Sequence, residues 1–407
     1  MLVKERLNTD RQEHPSPEAD GAADTVELSI VMPCLNEAAT IETCIDKAQA
    51  ALASEGIVGE IIVADNGSTD GSRDIARQAG ARVVEVEHRG YGSALRAGIA
   101  ASHGTYVIMG DSDDSYDFGE IGRFVEKLRA GHQLVMGTRL KGNILPGAMP
   151  WLHRWVGNPV LTWLANLFFG TRLSDYHCGL RGFDRQAINS LGLNTSGMEF
   201  ASEMVAKAAL NQLSMAEVPI TYHPDGRARP PHLRTWHDGW RHLQFLLLLS
   251  PNWVFLYPAL LFIGLGILGM AVLLPGPQTI GPVGLDVHTL LAAGIAIIIG
   301  SQILTLWLTA HLFARNIKLL PESQFFENVS NRFTLGNGIL VGTIFALIGL
   351  ALILWALEMW ANVQFDALDY QQALRRLIPG LVMLAVGVQV FFASFIVSLL
   401  NFKVTFR

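Results

Sequence analysis

The run Tyr106-Val107-Ile108-Met109-Gly110-Asp111-Ser112-Asp113-Asp114-Ser115-Tyr116-Asp117 decides how this chain is to be read. Its apolar opening predicts a strand that ends near Gly110. Asp111 and Asp113 then stand two apart at the strand end. In extended backbone, positions i and i+2 share a side. Two same-side carboxylates repel unless a cation lies between them, and oxygen ligands of this kind suit Mg²⁺ or Mn²⁺. Such a metal would hold a diphosphate. Taken alone, residues 109–117 read better as an acidic surface turn. What flanks them changes that.

Upstream, short Val- and Ile-rich runs at 26–32, 60–64, 82–86, 105–110 and 133–136 alternate with helical stretches near 39–53, 71–79, 92–102 and 120–129. The alternation predicts an α/β domain with a mostly parallel sheet covered by helices. Ligands on such sheets bind beyond the carboxyl ends of the strands. Pro33-Cys34-Leu35-Asn36-Glu37, Asp65-Asn66-Gly67-Ser68 and Asp111-Ser112-Asp113 all fall there.

Downstream of residue 242 the chemistry changes. The stretch 253–274 holds no charge, and 290–313, 335–357 and 377–400 follow in the same style. At about 1.5 Å per residue, each crosses a hydrocarbon core of about 30 Å. Four such runs predict an all-α membrane domain of four transmembrane helices. The loop 275–289 has no Lys or Arg, and 358–376 has Arg375 and Arg376. The opposite side collects Arg315, Lys318, Arg332, Lys403 and Arg407, with Arg234 and Arg241 ahead of the first span. Basic loops stay inside, so the globular part and the C-terminus are expected on the cytoplasmic side of the cytoplasmic membrane. Gly264-Leu265-Gly266-Ile267-Leu268-Gly269 matches a dinucleotide fingerprint in spacing. It has no preceding strand, and reads as a helix-packing surface, as does the GxxxG at Gly338 and Gly342.

Between the two halves, residues 232–249 interleave His232, Arg234, Trp236, Trp240, Arg241 and His242 with leucines. This composition suits the headgroup region of a bilayer. Residues 1–25 are polar, lack a signal-peptide core and read as a disordered leader. The expected division is 1–25 leader, 26–231 catalytic domain, 232–250 juxtamembrane interfacial helix and 251–407 membrane domain. The net charge of −6 gives no sign of nucleic-acid binding. Cys34, Cys44 and Cys178 form no CxxC pair and read as reduced thiols.

Taken together, the motifs resemble the family 2 glycosyltransferases, and within them the polyprenyl-phosphate sugar synthases. Met32-Pro33-Cys34-Leu35-Asn36-Glu37 resembles the family's P-x-x-N-E, and Asp65-Asn66-Gly67-Ser68-Thr69-Asp70-Gly71 its D-D-x-S-x-D-G. Arg89-Gly90-Tyr91-Gly92 resembles the glycine-rich helix entry, and Asp111-Ser112-Asp113 is the D-x-D. Gly137-Thr138-Arg139-Leu140-Lys141-Gly142 and Arg154…Asn158 resemble the segment that handles the lipid phosphate. Asp175…Gly179-Leu180-Arg181-Gly182-Phe183 and Glu217-Val218-Pro219-Ile220 close the domain. The chain departs from the pattern at Asn66, which replaces the second aspartate, and at Ser115, where some relatives carry Gln.

The resemblance implies a GT-A catalytic domain that passes a hexose from a nucleotide sugar to a polyprenyl phosphate, with inversion. Pro33, Asn36, Glu37, Asp65, Gly92 and Asp111 would face the nucleotide sugar, with Asp111 and Asp113 on Mg²⁺ or Mn²⁺. Arg139, Arg154, Asn158 and Arg229 would hold the lipid phosphate. Lys141 and Arg227 are further candidates for that cradle. Asp113, Arg139 and Asp175 would carry the catalysis. Asp175 and Glu199 stand on the acceptor side, either as a base or to orient arginines. Two alternatives run beside this reading. A processive polysaccharide synthase would share the fold, but Trp151-Leu152-His153-Arg154-Trp155 only partly matches its Q-x-x-R-W. A lipid-sugar flippase or membrane scaffold would use the spans alone.

Overall fold

A computed structural model of the chain describes residues 26–227, 235–321, 323–364, 366 and 369–402. The leader 1–25, Arg229, Arg234, Lys403 and Arg407 lie outside the described residues.

The first half alternates as its sequence demands. Strand β1 (Leu28–Cys34) leads to α1 (Ile41–Ser54), β2 (Gly59–Asp65) to α2 (Ser72–Gln78), and β3 (Arg82–Glu85) to α3 (Tyr91–Ala101). Then come β4 (Tyr106–Met109), α4 (Ile121–Arg129), β5 (Leu134–Ile144), α5 (Asn158–Phe169), β6 (Arg181–Asp184), α6 (Arg185–Ser190), α7 (Phe200–Leu210) and β7 (Met215–Tyr222). The seven strands form one sheet in the order β3-β2-β1-β4-β6-β5-β7. All neighbours pair parallel except those of β6, which runs against both β4 and β5. Strand β1 is buried along nearly its whole length, as a strand covered on both faces must be. Its Leu28, Ile30 and Met32 pack with α1 and α4 on one face, while Val31 joins α3 and α7 on the other.

Two strands escape a pattern search. Strand β6 has four residues and begins with an arginine. Strand β7 carries Pro219 but lies at the sheet edge, where a missing ladder donor is tolerated. Strand β5 runs well past the expected 133–136 and slips register between Thr138 and Asn143. Such an irregularity re-aims side chains, and Arg139 sits at its start.

Helix α8 (Thr235–Leu248) follows the catalytic domain. The membrane part begins at α9 (Tyr257–Leu273), extended by a wide turn from Asn252, then a short hairpin of β8 (Gln278–Ile280) and β9 (Val283–Leu285). Next are α10 (Val287–Asn316), α11 (Gln324–Arg332), α12 (Leu335–Asn362) and α13 (Tyr370–Asn401). Among the described residues, four helices are long and apolar enough to cross a membrane. They overlap the four expected runs, and the last three extend beyond them, because polar end turns such as Tyr370-Gln371-Gln372 stay helical outside an apolar core. Helices α12 and α13 meet backbone to backbone: a Cβ on Gly342 would lie 2.8 Å from the Gly387 carbonyl. Membrane helices use small residues in this way to gain close contact. Gly266 likewise lies against Ala293 and Ile297 of α10, so the GxGxxG spacing serves packing. The catalytic and membrane parts touch through Ala206 and Leu249 against Ala314 and Leu320.

Candidate active site

Three loops converge at the carboxyl ends of β1, β2 and β4, and side chains stitch them together. Asn36, at φ 59°, adopts the left-handed conformation that a short amide tolerates. Its backbone N donates to Ser68 Oγ (2.9 Å) and its Oδ1 accepts from Thr69 N (2.8 Å). Glu37 N donates to Ser72 Oγ at 2.9 Å. Ser112 Oγ donates to the Pro33 carbonyl (2.7 Å), and Thr40 Oγ1 donates to the Ser112 carbonyl (2.7 Å).

Asp65 is buried and accepts from the backbone N of Gly67 and of Ser68, each at 3.1 Å. Arg73 Nε stands 3.7 Å from it. The carboxylate therefore closes the turn after β2. Asp70 shares this role, accepting from Ala38 N and from Ser72. The departure at Asn66 has a local reason. Its Nδ2 donates to the His88 carbonyl (2.9 Å) and its Oδ1 accepts from Gly90 N (2.6 Å). An aspartate could not make the first bond. Gly92 faces inward: a Cβ there would lie 2.6 Å from the Thr195 carbonyl. It is needed for the packing of α3 against the 195–200 segment.

Asp111 and Asp113 occupy the loop after β4. Tyr91 Oη donates to Asp111 Oδ1 at 2.9 Å. Ser115 fixes Asp113, donating from its N (3.1 Å) and Oγ (2.5 Å) to Oδ1. Burial, then the nearby Asp113 charge, pushes the Asp111 carboxyl up to about 6. A buried carboxyl raised by the charge of a carboxylate two residues on supplies, with that neighbour, oxygen donors that suit a hard divalent cation. Among the described residues no cluster of three or more His, Cys, Asp or Glu side chains forms a metal site. Mg²⁺ is commonly held by one or two carboxylates, with water and substrate phosphates completing its shell. The pair fits that pattern.

Beyond these acids lies Arg139. Its Nε donates to Asp175 Oδ2 (2.7 Å), its Nη2 to Oδ1 (2.8 Å) and its backbone N to Oδ2 (3.1 Å). The guanidinium stacks over Tyr222, 5.3 Å from the ring centre. Asp175 is fully buried. Burial alone would raise its carboxyl, but the charge and hydrogen bonds of Arg139 hold it below the usual range. His153 feels the same guanidinium: burial, then Arg139, keeps its imidazole neutral beyond the ordinary tendency. Gly179 joins the two halves of the site. A Cβ there would lie 2.9 Å from Asp111 Oδ2, and Gly179 N donates to Tyr116 Oη (2.8 Å).

Not every sequence candidate gathers here. Arg154 lies in a wide helical turn with its guanidinium over Trp155, 5.3 Å from the ring centre. Asn158 Nδ2 contacts Met149 Sδ at 3.6 Å. Lys141 pairs with Glu217 at 2.8 Å, and Glu199 with Arg241 of α8 at 3.0 Å. Arg227 joins Glu37 and Asp113, not the arginines, and lies 3.0 Å from each. Tyr91, Tyr116, Tyr222 and His153 line this region although no sequence motif gives any of them a role. Only their contacts across the sheet show it.

One outer face of this domain is aromatic. Trp151, Trp155 and Trp163 are 69, 61 and 62 % exposed, with Val156, Val160 and Leu167 beside them. Three exposed tryptophans at helical spacing suit a membrane interface better than water.

Two family models match the chain: glycosyl transferase family 2 over residues 29–192, and the glycosyltransferase family 2 C-terminal transmembrane region over 308–401. A Haloferax volcanii relative, "Low-salt glycan biosynthesis hexosyltransferase Agl6", is 36 % identical over 92 % of this chain and 89 % of its own. This chain belongs to glycosyltransferase family 2. It is a membrane-integrated member with a GT-A catalytic domain. The H. volcanii "Dolichyl-phosphate hexose transferase" is 32 % identical over 48 % of this chain and 82 % of its own. Among solved structures, glucosyl-3-phosphoglycerate synthase from Mycobacterium tuberculosis, in complex with Mn²⁺, uridine diphosphate and glucosyl-3-phosphoglycerate, aligns with TM-score 0.45 and 28 % identity. The alignment covers 55 % of this chain and 78 % of that one.

Proposed function

We propose that this glycosyltransferase moves a hexose from a nucleoside diphosphate sugar to a polyprenyl phosphate at the cytoplasmic membrane face, with inversion in a single displacement. The observation that carries the reading is the use made of Asp175. Both its oxygens are bound by Arg139. A sugar-hydroxyl acceptor needs a general base near its proton, and a buried carboxylate spent on arginine is a poor one. A phosphate monoester arrives already ionised and needs a cation instead. Arg139 supplies it: Asp175 fixes Nε and Nη2, leaving Nη1 without a hydrogen-bond partner among the described residues. A fixed guanidinium with a free edge is suited to phosphate oxygens.

Asp111 and Asp113 would hold Mg²⁺ or Mn²⁺, which when bound offsets the charge on the departing diphosphate. Asp65, Asn36 and Glu37 shape the loops that receive the nucleotide. The exposed tryptophans of 151–163 and the juxtamembrane α8 support an active site close to the lipid surface. The cytoplasmic orientation draws further support from Arg375, whose guanidinium donates to Asp286 and to the Leu273 carbonyl. One of the two arginines on the opposite side is thus neutralised locally. The dolichyl-phosphate relative supports a lipid phosphate acceptor.

The test is to titrate polyprenyl phosphate and nucleotide sugar separately against the wild type and Arg139→Lys. An ammonium cannot reproduce the two-point grip on Asp175, so the lipid-phosphate dependence should weaken while the nucleotide-sugar dependence holds. A variant that loses only nucleotide-sugar binding places Arg139 on the donor side and defeats the assignment.

A further inference from the structure

Arg227 stands where a cation is needed. Its Nε lies 3.0 Å from one Glu37 oxygen and 3.1 Å from the other, and its Nη2 lies 3.0 Å from Asp113 Oδ2. Both acids are buried. The backbone that delivers Arg227 is strapped to the same loop. His223 N donates to the Ser115 carbonyl (3.0 Å), and Gly226 N donates to the Asp113 carbonyl (2.9 Å). Glu37 and Asp113 come from different loops, and without a cation between them they would be buried like charges. The guanidinium neutralises both. In doing so it takes the oxygen of Asp113 that remains, since Oδ1 is held by Ser115. A metal ion on Asp113 and the guanidinium of Arg227 therefore compete for Oδ2.

We propose that Arg227 is a stand-in cation: it holds Glu37 and Asp113 until a metal-bound nucleoside diphosphate arrives, then releases Asp113 Oδ2 and turns to the diphosphate oxygens. The inference rests on the donor and metal reading above. Loading is then an exchange of ionic partners with no net loss of pairs. Asp113 trades guanidinium for metal, and the guanidinium trades carboxylate for phosphate. The metal alone offers Arg227 no new partner, so it binds weakly. Metal and nucleoside diphosphate together bind cooperatively, each favouring the other by the same factor.

The experiment measures Mn²⁺ binding to the full-length protein in detergent by electron paramagnetic resonance, with and without UDP or GDP. In the wild type, nucleotide should strengthen Mn²⁺ binding. In Arg227→Gln, nucleotide-free Mn²⁺ should bind about tenfold more tightly, the scale of one charge-assisted hydrogen bond removed from competition. The strengthening by nucleotide should shrink by a similar factor. Mn²⁺ alone should also raise the melting temperature of Arg227→Gln more than that of the wild type. Unchanged or weaker nucleotide-free binding in a folded Arg227→Gln overturns the stand-in role. If that variant does not fold, Arg227→Lys carries the test, because a point charge cannot span both acids. Its nucleotide-free affinity should rise, and an unchanged value overturns the proposal. Wild type that binds no Mn²⁺ even with UDP and GDP overturns the metal reading itself, and this inference with it.

Discussion

Asp111→Asn should make this protein more stable while removing its activity. Burial and the neighbouring Asp113 lift the Asp111 carboxyl from 3.8 to about 6. A raised carboxyl pKa means that the folded state holds its proton more tightly than the unfolded chain. The stabilisation is present below pH 3.8 and lost as pH rises through about 6. At pH 7.5 the ionised group therefore costs about 3 kcal/mol, since each tenfold change in proton affinity is worth about 1.4 kcal/mol. Asparagine removes that cost and still accepts the hydrogen bond from Tyr91. For a catalytic domain of this size, roughly 3 kcal/mol corresponds to a melting-temperature rise of roughly 6–12 °C. The assay is thermal unfolding by tryptophan fluorescence in detergent with EDTA, from pH 4.5 to pH 7.5. The gain of Asp111→Asn over wild type should be small at pH 4.5 and full at pH 7.5. Saturating Mn²⁺ should narrow it, because a bound ion stabilises the wild type by mass action. A variant no more stable than wild type at pH 7.5, or equally gained at both pH values, refutes the reasoning.

Asn66→Asp, which restores the family's usual residue, should destabilise the protein by about 1–3 kcal/mol, since the His88 carbonyl loses its donor and faces a carboxylate; chemical denaturation measures it. Asp175→Asn should cost about 3–5 kcal/mol by leaving Arg139 buried without its counter-charge, and Arg139→Lys should cost less than that but still lower turnover, both read from melting curves and initial rates. A reporter fused after residue 407 should be active only in the cytoplasm, and activity confined to the other side reverses the topology.

The repeating parts of this molecule are legible in its sequence, and the pairings are not. Strands β1, β2 and β4 show themselves because each is a short apolar run that ends at a polar loop. The four membrane helices show themselves by length and absence of charge. Strand β6 stays hidden because Arg181, fully buried, spends its guanidinium on the carbonyls of Cys178 and Ala201. A buried arginine that serves backbone oxygens looks like a surface residue in a one-dimensional pattern. Strand β7 stays hidden behind Pro219. In the site, the family motifs single out Asp111, Asp113, Arg139 and Asp175, and the last two prove to be partners. Arg227 reads from sequence as a companion of the lipid-phosphate arginines, yet it crosses 190 positions to reach Glu37. His153 enters the neighbourhood of Arg139 only because the wide turn at 153–157 carries it there. No residue spacing announces such contacts, which depend on how the sheet brings distant loops to one edge.

The most direct test of a lipid-phosphate acceptor uses radiolabelled nucleotide sugars, offered singly to the purified protein with Mg²⁺ or Mn²⁺. Each is paired with polyprenyl phosphate or with the same polyprenol lacking its phosphate. Label from at least one donor should pass into an organic-soluble, acid-labile lipid with the phosphate and not with the alcohol. Equal transfer to the alcohol, or label found only in a water-soluble polymer, would contradict it.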